Sequence, residues 1–369
     1  MKIIIKKDIL FNSLKLVTNL SSNNFSSPII QGLFIDVNKE RINLIHTNGM
    51  ISINSKINND NFLFVEEGTF LVNKKLFCNI IQKLNNEDIV IEKIDNSVLK
   101  IKTSNFDSNI NILDYKEFPI ISFEHKNWKE ITLKANIFMD IKEKILQSVS
   151  QNKEKVSILN GICFNSDSNL LEIFSTDSFK LSYLKYKIAS LPFKIVFDYS
   201  LILLIIDNLV NEKVIIYING NNLIIKMNNI LISSKVLEGN YPDVINIINS
   251  PKFNEISINK KNFINALERG IVLTMTEKRP ICKLSLKNGE SKIFFKSIEL
   301  GNSEENIETL NFKGENIIIS VNAHYLIALI KAFSSEKIFI GTSSETKPIV
   351  LWTEEEENFL QLVLPIRSY

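Results

Sequence analysis

Strand-then-helix patterning recurs along this chain. Alternating apolar residues, as at Ile256 and Ile258, give the two-residue period of a half-buried strand. Apolar residues then recur four apart, as at Phe263 and Leu267, which is the spacing of one face of a helix. Similar segments begin at positions 3, 70, 131, 195, 256 and 319. The pattern predicts six helical stretches, at residues 6–20, 73–85, 134–150, 198–210, 259–273 and 321–335.

Three short strand-like runs follow each predicted helix. After the fourth helix, residues 213–237 contain "KVIIYING", "NLIIKMN" and "ILISSKVL", and an Asn-Gly pair closes the first run. Asn-Gly is a strong hairpin signal, because both residues tolerate positive φ. The repeating unit is therefore β-α-β-β-β, with a step of 61 to 67 residues. Any protein of strands and helices alternates in this way, but so regular a step favours a true repeat.

A longer period pairs these units. The segments "SSPIIQGLFIDV", "VSILNGICFNS" and "KRPICKLSLKN" match one another in alternate units only. We therefore predict an α+β fold of three similar domains, each a duplicated unit, at residues 1–125, 126–250 and 251–369. Equal links bend such a chain into an arc, which a second copy closes head to tail under two-fold symmetry. Twelve helices side by side would surround a hole of roughly 30 Å, wide enough for a nucleic-acid duplex.

Positive charge is concentrated on the predicted helices. The whole chain has 43 basic and 41 acidic residues, a net charge of only +2. The six helical stretches hold 13 basic and 6 acidic residues. Lysine favours solvated helix faces anyway, but glutamate does so equally well and is rare in these stretches. A basic lining attracts phosphates without reading base sequence. The candidate DNA-facing residues are Lys75, Lys142, Lys153, Lys261, Arg269 and Lys331.

Signals of catalysis are weak. The sequence has no Gly-rich phosphate-binding motif, and its three histidines are dispersed without metal-ligand spacing. The acidic run at 353–359 is more typical of a solvated turn than of a metal cluster. Asp177 has no base partner near it in sequence. We expect no catalytic residues, no metal and no cofactor.

Cysteine usage and hydropathy bear on the cellular compartment. The three cysteines lie far apart, which suits a reducing compartment rather than a disulfide framework. The longest apolar run, at 201–206, is too short to cross a membrane. We expect a cytoplasmic protein that has no membrane partner.

Five segments carry a family resemblance: "MKIIIKKDIL", "LNGICF", "STDSFKLSY", "SKVLEGNYPDV" and "LVLPIRSY". With the threefold repeat, they make the chain resemble the bacterial sliding clamp, the beta subunit of DNA polymerase III, over its whole length. The resemblance implies the DNA clamp fold, a head-to-tail dimeric ring around duplex DNA with helices lining the hole. It implies a processivity factor that slides without sequence preference. The implied partners are the polymerase III catalytic subunit, the clamp loader, and other polymerases and repair proteins with clamp-binding peptides.

The resemblance also implies an apolar pocket that accepts a short, extended peptide. The matching positions are Leu159, Thr176, Phe179, Leu181, Pro242, Ile247, Leu362, Leu364, Pro365 and Arg367. Without the resemblance, Leu159 and Leu181 fit a plain core role equally well. The family commonly has Thr-Asp-Gly-His-Arg-Leu at 176–181, whereas this chain has Ser178, Phe179 and Lys180 at the third, fourth and fifth positions. We expect this altered rim to change peptide preference.

For ring closure, the resemblance places one side of the interface at Val272 and Leu273, where the third domain's first helix ends. The other side is an edge strand at 104–113, with Phe106 and Ile110. An alternative hypothesis is a scaffold that gathers partners through the pocket and does not surround DNA. An enzyme ranks below both.

Overall fold

The computed structural model describes residues 1–20, 27–151, 157–167, 169–188, 192–209, 212–248, 254–277 and 279–366. Contacts divide the chain into two compact units, which we call the first and the second unit and which are distinct from the six sequence repeats. The first comprises Met1–Phe138 with Ser200–Val236, and the second comprises Met139–Tyr199 with Leu237–Tyr369.

Each of the six predicted helical stretches forms a helix. The described residues also contain a four-residue helix, α5, that the periodicity does not predict. The helices are α1 Lys7–Thr18, α2 Lys74–Lys83, α3 Ala135–Lys144, α4 Tyr199–Asp207, α5 Ile245–Ile248, α6 Lys260–Val272 and α7 Ala323–Lys331.

The strands are short and pair in antiparallel fashion throughout. In the first half of the chain they are β1 Lys2–Lys6, β2 Gly32–Val37, β3 Arg41–Thr47, β4 Ser52–Asn58, β5 Phe62–Glu66, β6 Gly68–Asn73, β7 Asp88–Lys93, β8 Val98–Lys102, β9 Asp107–Asn111, β10 Lys129–Lys134, β11 Gly161–Ser166, β12 Leu170–Thr176 and β13 Lys180–Lys187. In the second half they are β14 Phe193–Asp198, β15 Lys213–Asn219, β16 Asn222–Met227, β17 Ile230–Lys235, β18 Asn254–Asn259, β19 Ile281–Leu286, β20 Ser291–Ser297, β21 Gly301–Ile307, β22 Thr309–Lys313, β23 Ile317–Asn322, β24 Lys337–Thr342, β25 Ile349–Trp352 and β26 Phe359–Val363.

The element order confirms the predicted repeat. Six successive repeats have the order β-α-β-β-β, from β1-α1-β2-β3-β4 to β23-α7-β24-β25-β26. Two strands, β5 and β22, are additional to these repeats and follow the first and the fifth repeat. The α+β class and the duplicated unit are therefore as predicted.

The first unit is built on two sheets within its described residues. One has the strand order β5-β1-β7-β8-β9, and the other has the order β10-β15-β16-β17-β4-β3-β2-β6. The larger sheet is continuous because β17 pairs with β4, which places Ile232 opposite Ile53. Both side chains are fully buried, so this join lies in the hydrophobic core.

The second unit also has two sheets in the part of the chain described. Their orders are β14-β11-β12-β13-β26-β25-β24-β18-β22 and β21-β20-β19-β23. Here β13 pairs with β26, and Leu181 lies opposite Leu362. Both leucines belong to one buried apolar cluster that also contains Tyr241 and Val244.

The predicted domain boundaries differ from the limits of the two units. Residues 126–250 supply β10 and β15 to β17 to the first unit, and β11 to β14 to the second. The β17–β4 and β13–β26 pairings produce this division, because each continues a sheet across a predicted boundary. The three-domain division at 125 and 250 stays a prediction.

Asparagine side chains begin three of the helices. Asn73, Asn259 and Asn322 each accept a hydrogen bond from backbone N–H groups in the first turn of α2, α6 and α7. These N–H groups have no partner within the helix, so the caps stabilise the helix starts. Phe263 and Leu267 of α6 are buried, as their spacing predicts.

Candidate functional site

The second unit contains an apolar cavity of about 240 Å³. Its walls come from the ends of β12, β13 and β26, from α5 and its preceding loop, and from the loop before β25. The lining residues are Thr176, Ser178, Phe179, Lys180, Leu181, Pro242, Val244, Ile247, Pro348, Leu362 and Leu364.

Seven of the ten predicted pocket residues line this cavity: Thr176, Phe179, Leu181, Pro242, Ile247, Leu362 and Leu364. Leu159 does not line it and instead packs, half-buried, against the apolar cluster that contains Leu181. Pro365 is half-buried beside the cavity but is not part of its lining. Arg367 lies outside the described residues.

Sequence reasoning missed two apolar lining residues. Val244 stands in the "YPDV" segment, two residues after Pro242, so the family-like motif could have pointed to it. Pro348 lies in the loop before β25, and the surrounding "SSETKPIV" has no pattern that predicts its place.

The turn between β12 and β13 forms one rim of the cavity. The Asp177 carboxylate oxygen Oδ1 accepts hydrogen bonds from the N–H groups of Phe179 and Lys180, at 2.9 Å each. Ser178 has φ +76°, a left-handed conformation that is uncommon for a residue with a side chain. Its N–H donates to Thr176 Oγ1 at 3.1 Å. These bonds fix the turn and therefore the position of Phe179.

Lys180 lines the cavity, but its charge is already compensated. Its Nζ lies 2.9 Å from Asp177 Oδ2, and the exposed side-chain fractions are 10% and 16%. The same Nζ donates to the Gln147 carbonyl and lies 5.4 Å from the centre of the Tyr325 ring. The cavity therefore presents an apolar surface whose lining lysine already has an ion-pair partner.

Buried polar groups form hydrogen bonds between the elements that build the cavity. Ser182 donates to Gln361 Oε1 at 2.7 Å, and Gln361 Nε2 donates to the Leu329 carbonyl at 3.3 Å. Nearby, the Tyr241 hydroxyl accepts from the Thr176 N–H at 3.1 Å. Burial raises the pKa of Tyr241, so its hydroxyl stays protonated. Hydrogen bonds of this kind hold β12, β13 and β26 in one arrangement.

The candidate DNA-facing residues fall into two groups. Lys75, Lys142 and Lys261 are exposed, and the structure shows no ion pair between them and any described residue. Arg269 instead forms a bidentate ion pair with Glu305, and Lys331 Nζ lies 2.8 Å from Glu268 Oε1. Lys153 lies outside the described residues.

Two of the four candidate interface residues lie in or just before the edge strand β9, and the other two lie at the end of α6. Strand β9 is an edge strand of its sheet, as predicted, with Phe106 just before it. Ile110 of β9 is only 8% exposed, so most of its side chain is already covered within its own unit. Val272 at the end of α6 is 57% exposed, and Leu273 is half-buried. The edge strand β21 packs against this helix.

Two kinds of feature are absent from the described residues. No group of three or more His, Cys, Asp or Glu side chains is placed to hold a metal ion in that part of the chain. No helix there combines the length and the apolar character needed to cross a bilayer.

Comparison with known proteins covers almost the whole chain. Family models of the DNA polymerase III beta subunit match its N-terminal domain at residues 1–122, its central domain at 132–243 and its C-terminal domain at 247–367. The beta sliding clamp of Mycoplasma genitalium is 28% identical over 383 residues, which cover 100% of both chains.

Solved structures agree with these matches. The DNA polymerase III beta chain of Streptococcus pneumoniae has a TM-score of 0.93 and 26% identity, and the DNA polymerase sliding clamp of Bacillus subtilis has a TM-score of 0.92 and 25% identity. Each alignment covers 100% of both chains. The three family models together span more than half of the sequence, and the chain therefore belongs to the DNA polymerase III beta subunit family.

Proposed function

We propose that this protein is a processivity factor: a ring-forming clamp that slides on duplex DNA and tethers the replicative polymerase. The observation that carries this proposal is the match of three consecutive family domains to residues 1–122, 132–243 and 247–367. We place the domain boundaries near residues 125 and 250. The role is mechanical, not catalytic, and we assign it to the cytoplasm.

The apolar cavity is the proposed docking site for partner peptides. Seven side chains that the family resemblance implies converge on it, and a short extended peptide fits a groove with apolar walls and few polar groups. The proposed ligands are peptide segments of the polymerase III catalytic subunit, the clamp loader, and other polymerases and repair proteins.

The proposed DNA contacts are electrostatic and independent of base sequence. Exposed lysines such as Lys75, Lys142 and Lys261 would interact weakly with successive phosphates. Weak contacts suit sliding, because the ring itself, rather than any single contact, retains the DNA.

The proposed ring closes between two copies of the chain. Edge strands β9 and β21 each have one side without a neighbouring strand among those described, so they offer backbone groups for pairing. Phe106 directly precedes β9, and Val272 ends α6, which packs against β21; both side chains would supply apolar contact. A dimer related by two-fold symmetry uses each edge twice.

Charge reversal tests whether the protein encircles DNA. We expect the triple variant Lys75→Glu, Lys142→Glu, Lys261→Glu to lose most clamp-dependent stimulation of primer extension, because repulsion would replace attraction. A matched control is the triple variant Lys39→Glu, Lys116→Glu, Lys296→Glu, whose lysines are exposed and lie outside the predicted helical stretches. The control should retain stimulation. Equal stimulation by both variants would instead favour a scaffold that does not surround DNA.

A further inference from the structure

Five basic side chains lie on one face of the larger sheet of the first unit. They are Arg41 of β3, Lys56 of β4, Lys134 of β10, Lys213 of β15 and Lys226 of β16, which we call the sheet-face cation cluster. The strand order β10-β15-β16-β17-β4-β3 and the usual spacing between strands spread the cluster over roughly 24 Å.

The register of β10, β15 and β16 places three of these side chains on the same face. Lys134 lies directly opposite Lys213. Ile215, two residues after Lys213, lies opposite Lys226. Residues that are opposite each other, or two apart in one strand, share a face of the sheet.

The register of β17, β4 and β3 places the other two on this face as well. Leu231 of β17 lies opposite Lys226 on one side and opposite Asn54 on the other. Asn54 and Lys56 are two residues apart in β4. Arg41 lies opposite the residue two after Lys56. The face therefore continues across the join between β17 and β4.

Helix α2 contacts the other face of this sheet. His46 lies opposite Ile53, and its Nε2 accepts a hydrogen bond from Lys74 Nζ of α2. Ile53 and Lys56 are three residues apart in β4, so their side chains point to opposite faces. The cation cluster is therefore directed away from α2, and DNA held at that helix would not meet the cluster.

The cluster has no counter-charge within the described ranges. None of its five side chains forms an ion pair with a described residue. Like charges directly opposite, as at Lys134 and Lys213, destabilise a strand pair. Burial and the positive charges of Arg41 and Lys226 lower the pKa of Lys56. A bound anion would offset this repulsion.

Two acidic side chains share this face near the ends of the sheet. Glu130 of β10 lies opposite Tyr217. Asp36 of β2 lies opposite Asn43 and accepts hydrogen bonds from Asn43 Nδ2 and Thr69 Oγ1, at 3.3 and 3.0 Å. Neither carboxylate forms an ion pair with a member of the cluster, so the cluster keeps its charge.

The neighbours of the cations fit a polypeptide better than a single-stranded nucleic acid. Ile215 and Leu231 flank Lys226, and Asn43 lies opposite Lys56. Single-stranded nucleic acids gain affinity by stacking bases on aromatic rings, which these positions do not supply. Carboxylates need only the cations.

We infer that the sheet-face cation cluster binds an acidic segment of a partner protein. An extended segment of about eight residues has the length of the cluster. Alternate side chains of such a segment point to the same side, so acidic residues at every second position would all face the cations.

The test uses the whole chain and three fluorescein-labelled probes. Two are extended peptides of about eight residues, one alternating Glu with Ser and the other alternating Gln with Ser. The third is a short oligothymidylate. In fluorescence anisotropy at low salt, we expect the wild type to bind the Glu peptide roughly tenfold more tightly than the Gln peptide, and added salt should weaken this binding.

Two triple variants are compared with the wild type. The cluster variant is Arg41→Gln, Lys56→Gln, Lys226→Gln. The matched control removes three exposed lysines that are not in the cluster: Lys83→Gln, Lys116→Gln, Lys296→Gln. The cluster variant should bind the Glu peptide roughly tenfold more weakly, and the control should bind it like the wild type.

Thermal unfolding separates loss of binding from loss of folding. Without peptide, the cluster variant should be at least as stable as the wild type, because the substitutions remove repulsion between like charges. Weaker binding by a stably folded variant then reports on the cluster itself.

Three results would overturn this inference. The wild type could bind the two peptides equally, or the cluster variant could bind the Glu peptide as tightly as the wild type. The cluster variant could instead lose affinity for oligothymidylate and not for the Glu peptide, which would assign the surface to nucleic acid. None of these results bears on the proposed ring or the apolar cavity, because the cluster belongs to neither.

Discussion

Lys144 Nζ lies 2.7 Å from Glu356 Oε1, and the two side chains are only 12% and 11% exposed. The pair links the last residue of α3 to the turn between β25 and β26 within the second unit. Glu356 Oε2 also accepts from the Ser334 N–H at 2.9 Å. The acidic run at 353–359 therefore contains a largely buried carboxylate that joins it to α3, whereas the sequence favours a solvated turn.

Breaking this ion pair should destabilise the second unit. Lys144→Met leaves the Glu356 carboxylate largely buried without its counter-charge, so the free energy of unfolding should fall by about 3 kcal/mol. Urea denaturation at fixed protein concentration measures the change. The matched control is Lys337→Met, which removes the exposed pair with Glu354 and should change stability by less than about 0.5 kcal/mol. Equal effects of the two substitutions would contradict this account.

His46 should make stability depend on pH. Its side chain is fully buried, Nδ1 donates to the Gly32 carbonyl at 2.9 Å, and Nε2 accepts from Lys74 Nζ at 2.7 Å. Burial and the positive charge of Lys74 lower the pKa of His46 to about 4. The unfolded chain binds a proton near pH 6.5, so the unfolding free energy should fall as the pH drops from about 6.5 to about 4.

The measurement is urea denaturation at about pH 7 and about pH 5, where this effect amounts to roughly 2 kcal/mol. His46→Gln should be less stable overall and should lose this part of the pH dependence. His324→Gln, at an exposed histidine, should keep it. The same pH dependence in wild type and His46→Gln would rule out the assignment to His46.

The cap of α7 offers a local test of the fold. Asn322 Oδ1 accepts from the N–H groups of His324 and Tyr325 at 2.9 and 3.3 Å. Asn322→Ala should lower the free energy of unfolding by about 1 kcal/mol, and Asn322→Ser should recover most of it, because serine also caps. Thermal unfolding of the three proteins compares them directly. Failure of serine to improve on alanine would show that the side chain acts by other contacts.

The two groups of basic residues should differ in their effect on DNA affinity. Lys75→Gln, Lys142→Gln and Lys261→Gln should each lower the slope of log affinity against log salt by about 1. Arg269→Gln and Lys331→Gln should change this slope less, because Glu305 and Glu268 already compensate these charges. Fluorescence anisotropy with a labelled duplex at several salt concentrations provides the slopes. Equal slopes for both groups would mean that the ion pairs open on DNA.

The periodicity of the sequence predicts local elements well and their pairing poorly. Six of the seven helices in the described residues follow from the apolar spacing, and Asn73, Asn259 and Asn322 cap three of them. Strands β5 and β22 lie outside the repeat, and most of their side chains are exposed or half-buried, so neither has a clear buried apolar face to predict it. The pairing of β17 with β4 depends on where distant segments meet, which no local pattern records.

The cavity residues that stand in family-like segments could be predicted from the sequence. Thr176, Leu181, Pro242 and Leu362 stand in segments that resemble the family, and they converge on the cavity. The pairing of Arg269 with Glu305 spans 36 residues, so no local pattern distinguishes Arg269 from the exposed lysines. Lys180 Nζ likewise donates to the carbonyl of Gln147, which lies 33 residues away in sequence, so no local pattern records this contact.

Retention on DNA of defined topology tests the proposed ring most directly. The protein is incubated with nicked circular DNA and the proposed clamp loader, and the DNA is separated from free protein by gel filtration. Half of the sample is then cut once by a restriction enzyme. The proposed ring predicts that the protein stays on the uncut circle and is lost from the linear duplex, because it slides off the ends. Equal retention on circular and linear DNA would contradict the encirclement on which the proposed function depends.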